Sequence, residues 1–160
     1  MSESEYTSGE TIVMETGEET LNNNDTVIAG DYEYTLSKVG TESSLEYIND
    51  TMQANGEYLI LEFGIKNNSD YPFSMDINTP FYLVNEDKFF EFDYNLSWSY
   101  TNDEIGNSGL WSSSNSINPG NEHVSYAVFD VPTDIINSEQ TQLLIFTDDS
   151  APADIYFNIN

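Results

Sequence analysis

Basic residues are almost absent from this chain of 160 residues, which has no arginine and three lysines, Lys38, Lys66 and Lys88. Against them stand 29 aspartates and glutamates, so the formal net charge is −26. Such a charge repels nucleic-acid phosphates and anionic lipid surfaces, and the sequence holds no basic patch that would overcome the repulsion. We therefore expect no nucleic-acid partner, and we expect hydrated cations and basic protein surfaces to be attracted.

Cysteine is absent as well, which excludes disulfides and thiolate metal sites and leaves the redox compartment open. No apolar run approaches the roughly 20 residues that span a bilayer. The first residues, MSESE, lack the basic region and apolar core of a signal peptide. The protein is then either cytosolic or processed by removal of a leader. The acidic segment that follows favours the second interpretation, in which a lipid-anchored tether absent from this chain holds the protein at the cell surface.

The excess of acid indicates the medium in which the protein works. A compact fold with a net charge of −26 repels itself unless ions screen it. The Debye length falls from about 10 Å at 0.1 M salt to about 3 Å near 1 M. The composition therefore predicts a protein of a halophilic microbe, although it does not say what the protein does.

Residues 1–25 differ in composition from the rest of the chain. They are rich in Glu, Ser, Thr, Gly and Asn and end in the run NNND. Because such a segment buries little apolar surface, we predict a disordered acidic linker over 1–25 and a single folded domain over 26–160. The linker would hold the domain clear of the envelope; an incidental tail is the alternative.

The folded part has the pattern of an all-β domain. Hydrophobic residues make up 38% of the chain and aromatic residues 14%, mostly types that favour strands. The clearest strand is 57–67, in which Leu59, Leu61, Phe63 and Ile65 share one face. Other strands are predicted at 32–37, 45–48, 81–84, 88–92, 124–131, 142–147 and 154–159. A further strand is predicted to start at 71–75, and one helical turn is predicted at 134–139. This spacing predicts an antiparallel β-sandwich of about seven to nine strands.

Five phrases of the sequence resemble one family in their order. They are GEYLI at 56–60, IKNNS at 65–69, FYL at 81–83, INPG at 117–120 and AVFDVP at 127–132. Over residues 27–159 the chain resembles the telokin-like immunoglobulin-fold domains of secreted bacterial and archaeal proteins, often lipoproteins. The resemblance implies an immunoglobulin-like sandwich and secretion. That family is largely of unknown function and has no catalytic motif to transfer.

Three aromatic residues, Trp98, Tyr100 and Trp111, are the candidate binding residues. They flank a Ser-, Asn- and Gly-rich stretch at 95–116, which we predict to be a long loop. Aromatic side chains on a loop can form a platform for a sugar or a protein. Alternatively, Trp98 and Tyr100 alternate like core-facing residues of a strand and pack against the sandwich.

Three acidic pairs lie in predicted loops, Glu86-Asp87, Asp103-Glu104 and Asp148-Asp149, and the last two are the candidate metal ligands. Such carboxylates from neighbouring ends of a sandwich can together hold Ca²⁺, which prefers oxygen ligands. The chain has no EF-hand pattern, and in so acidic a sequence adjacent pairs also arise from composition alone. Ca²⁺ is the one cofactor that the sequence leaves open.

The chain has a single histidine, His123, beside Glu122. A histidine can act as a general base or a metal ligand, but His123 has no recognisable serine motif to activate. We favour an edge residue that follows a turn. Four Asn-X-Ser/Thr sequons begin at Asn24, Asn49, Asn67 and Asn95, and on a secreted protein they would be candidate glycan acceptors.

Together these features predict a non-catalytic, extracellular or cell-surface domain of a halophile. It would recognise an unidentified protein or envelope component, or space one from the surface. A module that binds a cation or a small ligand is the alternative, and a small hydrolase is less well supported.

Overall fold

Two β-sheets pack face to face in the computed structural model, which describes residues 9–74, 81–111 and 116–160. The strands are β1 (Thr11–Val13), β2 (Thr26–Ala29), β3 (Tyr32–Tyr47), β4 (Asp50–Asn67), β5 (Phe81–Asn85), β6 (Lys88–Phe90), β7 (Glu122–Val131), β8 (Gln142–Ile145) and β9 (Ile155–Asn158). The first sheet has the order β1-β2-β3-β4-β7 and the second the order β6-β5-β8-β9. The predicted all-β sandwich is confirmed.

The core lies between the sheets and follows the predicted alternation of β4. Leu59, Leu61, Phe63 and Ile65 are fully buried on its inner face. The ring of Phe63 meets that of Phe81 in the second sheet at a centroid distance of 5.0 Å. Burial of an aliphatic or aromatic side chain stabilises a fold by about 1.5–3 kcal/mol, so this one strand supplies a large share of the core.

The longest element is the hairpin of β3 and β4, and it differs from the prediction at 45–48. Residues 45–47 are the end of β3 rather than a separate strand, and they pair directly with the start of β4. The turn between them is made by Ile48 and Asn49, whose φ angles of 48° and 65° are both positive. Two such residues form the tight turn that matches the twist of a hairpin.

The predicted loop at 95–116 is wrong over most of its length, because it begins with the helix α1 (Tyr94–Ile105). The carboxylate of Asp93 caps the first turn by accepting from the N–H of Leu96 at 3.0 Å. The helix ends at Gly106, whose φ of 79° is the left-handed conformation that glycine adopts easily. A 3₁₀ turn at Gly109–Trp111 follows, and residues 112–115 lie outside the described part.

Helix α1 closes the edge of the first sheet. Ser97 Oγ accepts from the N–H of Val128 in β7 at 2.8 Å, and Thr101 Oγ1 accepts from the N–H of Tyr126 at 2.9 Å. The indole Nε1 of Trp111 donates to the carbonyl of Tyr126 at 3.0 Å. Side chains thus occupy strand groups that would otherwise be free to pair with another chain.

Thr101→Val tests this closure. The substitution keeps the shape of the side chain but leaves the N–H of Tyr126 buried without its acceptor. We expect the free energy of unfolding to fall by about 2 kcal/mol, the cost of an unsatisfied buried donor. Thr101→Ser is the control, since it keeps the hydroxyl, and chemical denaturation compares the two. A loss in Thr101→Ser with none in Thr101→Val would mean that packing of the methyl group, and not the hydrogen bond, matters.

A second helix, α2 (Thr133–Asn137), occupies the place of the predicted helical turn at 134–139. It follows β7 directly, where Pro132 ends the strand. Its residue Ile136 is buried in the core.

The predicted linker is wrong for residues 9–25, whereas residues 1–8 lie outside the described part. Strand β1 pairs in parallel with β2, and the buried Leu21 bridges to Phe157 of the second sheet. The carboxylate of Asp25, itself buried, accepts from the N–H groups of Glu10 at 3.0 Å and Asn22 at 2.8 Å. A few apolar contacts and one buried carboxylate therefore fix a segment whose composition alone indicates disorder.

Candidate binding surface

The three aromatic residues predicted as a platform do not share a surface. Trp111 is 1% exposed, and its ring stacks on that of Phe92 at 4.9 Å, so it belongs to the core. Tyr100 packs edge-on against Tyr126 at 5.3 Å, while Trp98 is 41% exposed. Two positions apart on a helix are about 200° apart around its axis. The prediction of a joint platform is wrong because it assumed a loop.

Tyr126 marks an acidic part of the first sheet's outer face. Its hydroxyl donates to Glu62 Oε2 at 3.1 Å. Burial, followed by the hydrogen bond to Glu62 and the charge of that carboxylate, raises the pKa of Tyr126 to about 12. Burial and the nearby charges of Glu104 and Glu42 also raise the pKa of Tyr100. Both phenols therefore stay protonated at neutral pH, and Tyr126 acts as a donor toward the carboxylate of Glu62.

The acidic pairs do not assemble into a metal site in the described part of the chain. Asp103 and Glu104 lie near the end of α1, and Asp148 and Asp149 lie between β8 and β9. Asp148 Oδ1 accepts from the N–H of Ser150 at 3.0 Å, a local turn contact. Among described residues no group of three His, Asp or Glu side chains could hold a metal ion. The predicted Ca²⁺ ligands thus lie in two separate places.

His123 lies in β7 and lines an open cavity of about 410 Å³ with Ile105, Asn107, Gly109 and Glu122. Its Nδ1 has no hydrogen-bond partner within the described residues. Nothing in that part of the chain links the imidazole to a serine hydroxyl or orients it as a general base. The cavity is open to solvent and offers no arrangement of a nucleophile and a base.

The four sequons differ in the burial of their asparagines, which decides whether each could accept a glycan. Asn67 is fully buried, and its side chain is engaged in hydrogen bonds, so it cannot accept a glycan. Asn24 and Asn95 are exposed, and Asn49 is exposed at the tip of the β3–β4 hairpin.

An exposed aromatic surface lies on the outer side of the second sheet, where the sequence analysis did not predict a site. Its residues, which we call the aromatic face, are Tyr82, Phe89, Phe146 and Tyr156, together with Leu144, which is itself only 4% exposed. Tyr82, Leu144 and Tyr156 are direct neighbours across β5, β8 and β9. The ring of Tyr82 meets Phe89 at 5.9 Å and Phe146 at 6.0 Å, both at an interplanar angle of 88°.

The aromatic face is open to solvent at three of its residues. Phe89 is 60% exposed, and Phe146 and Tyr156 are each 45% exposed. On the other sheet, α1 packs Leu96 over Tyr58, Ile60 and Val128 of the outer face and buries them. Within the described residues no element covers the second sheet in the same way. Contiguous exposed apolar surface of this kind is a candidate for an interaction site.

One signal in the sequence could have revealed this face. The stretch 142–147 has apolar residues on both sides of the strand, Leu143 and Ile145 on one and Leu144 and Phe146 on the other. A strand that is apolar on both faces is typical of a sheet covered on both faces. The sequence predicts no further layer that would cover the outer face of this strand. Apolar residues on that face therefore indicate an exposed apolar surface.

A cavity of about 380 Å³ adjoins the aromatic face at Tyr156. It is lined by residues 17–21, Gln142, Tyr156 and Asn158. Gln142 Nε2 donates to Asn158 Oδ1 at 2.9 Å, which fixes the two amides. Glu18 and Glu19 bring two carboxylates to the wall, and we call this the acidic cavity.

The carboxylate of Glu19 is held by backbone groups. Its Oε2 accepts from the N–H of Glu15 at 2.9 Å and from that of Thr16 at 2.9 Å. These two hydrogen bonds lower the pKa of Glu19, so the group is ionised near neutral pH. Its Oε1 accepts no hydrogen bond from the described residues.

The two packed sheets define an all-β sandwich domain whose second sheet carries the exposed aromatic face. The chain belongs to the family described as "Domain of unknown function (DUF4352)", whose sequence model matches residues 21–154. No curated protein matches the chain.

Solved structures of similar fold come from three bacteria. The yjhA protein of Bacillus subtilis is 15% identical, with a TM-score of 0.59 over 88% of this chain and 100% of that chain. An uncharacterized beta-sandwich protein of Clostridium difficile is 14% identical, with a TM-score of 0.57 over 91% of this chain and 98% of that chain. A conserved hypothetical protein of Bacillus anthracis is 16% identical, with a TM-score of 0.56 over 88% of this chain and 99% of that chain. At these identities the likeness shows the fold alone.

Neither of the helices in the described residues is long and apolar enough to cross a membrane.

Proposed function

We propose that this chain is a non-catalytic, immunoglobulin-like recognition domain that works outside the cell, at the surface of a halophilic microbe. It binds an envelope component through the aromatic face. The resemblance to telokin-like secreted domains supports the location, and the net charge of −26 supports the saline medium. The observation that carries the proposal is the aromatic face, which is apolar, contiguous and uncovered within the described residues.

Exposure of these rings to water is unfavourable in free energy, and a bound partner that covers them removes this cost. Apolar surface taken out of water contributes about 25 cal/mol per Å². Aromatic residues are also the types that carry most of the energy of protein interfaces. The rest of the surface is rich in carboxylates, which stay hydrated and do not compete for an apolar partner. Recognition through one apolar face of an otherwise acidic domain is therefore physically favoured.

The test is binding of the domain to isolated cell envelopes of its source organism in brine. Phe89→Ser with Phe146→Ser removes two exposed rings, and we expect it to weaken binding at least tenfold, equivalent to about 1.4 kcal/mol. The matched control is Val39→Ser with Ile48→Ser, which removes two exposed apolar side chains on the hairpin of β3 and β4. Unchanged binding of the first variant, or equal losses in both variants, would contradict the proposal.

A further inference from the structure

We propose that the aromatic face and the acidic cavity together bind an extended segment of a partner protein that carries both apolar and lysine or arginine side chains. The apolar side chains pack on the aromatic face, and a cationic head group enters the acidic cavity beside Tyr156. This inference rests on the proposed function and specifies the chemistry of its partner.

The size of the aromatic face favours a segment over a second copy of this chain. Four strands about 4.8 Å apart, with three to five residues along each strand at about 3.4 Å per residue, give roughly 260 Å². A stable interface buries about 800 Å² on each partner. A second copy would also bring a second charge of −26 to the contact. The surface therefore suits an extended segment of opposite charge.

The lining of the acidic cavity is complementary to a cation. Glu18 and Glu19 supply negative charge, and the ring of Tyr156 supplies the π face on which an ammonium or guanidinium group rests. Oε1 of Glu19 is buried without a donor among the described residues, whereas a buried carboxylate oxygen normally accepts a hydrogen bond. The fixed amides of Gln142 and Asn158 complete a polar wall.

Further carboxylates follow the rings along the chain. Asp87 lies two residues before Phe89, Asp148 two after Phe146, and Asp154 two before Tyr156. Each of these acids is exposed. An apolar surface bordered by carboxylates selects a partner in which basic residues border the apolar ones.

The probes for the test are two short fluorescent peptides. In one, lysine alternates with valine and phenylalanine, and in its twin glutamate replaces each lysine. Fluorescence anisotropy measures binding to the whole chain at about 0.1 M and about 1 M NaCl, where the Debye length is about 10 Å and about 3 Å. We expect the lysine peptide to bind at least tenfold more tightly than its twin. We also expect measurable binding to remain at the higher salt, because the ring contacts are apolar.

Variants separate a defined site from general attraction to an acidic protein. Tyr156→Ala and Phe146→Ser change no charge, and each is expected to weaken binding of the lysine peptide about tenfold. Glu18→Gln with Glu19→Gln is expected to weaken it about threefold or more. Glu18→Gln alone serves as a second variant that leaves the backbone contacts of Glu19 intact. Asp103→Asn with Glu104→Gln removes the same charge from α1 and is the matched control, expected to leave binding unchanged.

Three results would overturn the inference. One is equal weakening by the two charge-removing pairs with no effect of the ring variants, which indicates diffuse attraction. The second is self-association through the aromatic face, which makes a second copy the occupant. The third is failure of the lysine peptide to bind. If envelope binding still depends on Phe89 and Phe146 in that case, the inference fails and the proposed function stands; if envelope binding does not depend on them, both fail.

Discussion

Asn67→Ala is expected to lower the free energy of unfolding by about 3 kcal/mol, because it removes the hydrogen bonds that one buried side chain makes to three other residues. Asn67 Nδ2 donates to the carbonyls of Tyr71 at 2.7 Å and Ile117 at 2.8 Å. Its Oδ1 accepts from the N–H and the hydroxyl of Ser69 at 2.9 and 2.7 Å. One fully buried side chain thus joins the loop after β4 to the segment before β7.

The neighbouring residue provides the matched control. Asn68 is exposed, and its Nδ2 donates to the carboxylate of Glu33 at 2.7 Å on the surface. We expect Asn68→Ala to change the free energy of unfolding by less than about 0.5 kcal/mol, as is usual for a surface substitution. Urea denaturation monitored by tryptophan fluorescence measures both variants. Similar losses for the two would show that the buried network of Asn67 contributes little.

The sequence predicted the strands well where one face of a strand is buried and the other is wet. Residues 155, 157 and 159 were predicted to share a face, and all three are buried. The hairpin at 81–92 was predicted around a turn, and β5 and β6 pair there, with Val84 opposite Phe89. Period-two alternation shows which face of a strand meets the core, so a strand can be predicted from it without knowledge of the rest of the fold.

The same reasoning missed α1 and the segment at 9–25 because distant contacts decide their structure. Helix α1 contains Asn, Ser and Thr, which have weak helix propensity, and it is held by bonds from Ser97 and Thr101 to a strand 25 or more residues away. Leu21 is a lone apolar residue in a polar stretch, and only its bridge to Phe157 explains its burial. Local composition carries no record of such contacts.

The candidate site was missed for a related reason. Tyr82, Phe146 and Tyr156 come from different parts of the sequence and become neighbours only through the register of β5, β8 and β9. Trp98, Tyr100 and Trp111 were predicted because they flank a Ser-, Asn- and Gly-rich stretch that was assigned to a loop. Trp111 is part of the core. Local composition therefore pointed to a residue that matters for packing, whereas the pairing register brings the residues of the aromatic face together.

A rise in salt from about 0.1 to 3 M NaCl is expected to raise the melting temperature by about 10 °C or more, since about 1 kcal/mol corresponds to about 2–4 °C in a domain of this size. The reason is the repulsion among 29 acidic side chains that three lysines cannot neutralise. Lys66 lies in register between Glu33 and Glu122, so even this lysine faces two carboxylates. Screening by salt relieves more repulsion in the compact folded state than in the more expanded unfolded chain, so salt stabilises the folded state.

The shape of the salt dependence distinguishes screening from general exclusion of salt from apolar surface. Screening is nearly complete when the Debye length falls to about 3 Å near 1 M, so most of the rise should occur below that concentration. Exclusion of salt from the surface would instead continue to strengthen burial at higher concentrations. NaCl and KCl should act alike, and sucrose, which carries no charge, should not reproduce the early rise. A constant melting temperature between 0.1 and 1 M would contradict adaptation to brine. The acidic surface would then have to be explained by its partners, since carboxylates that need no screening serve chiefly to select basic partners.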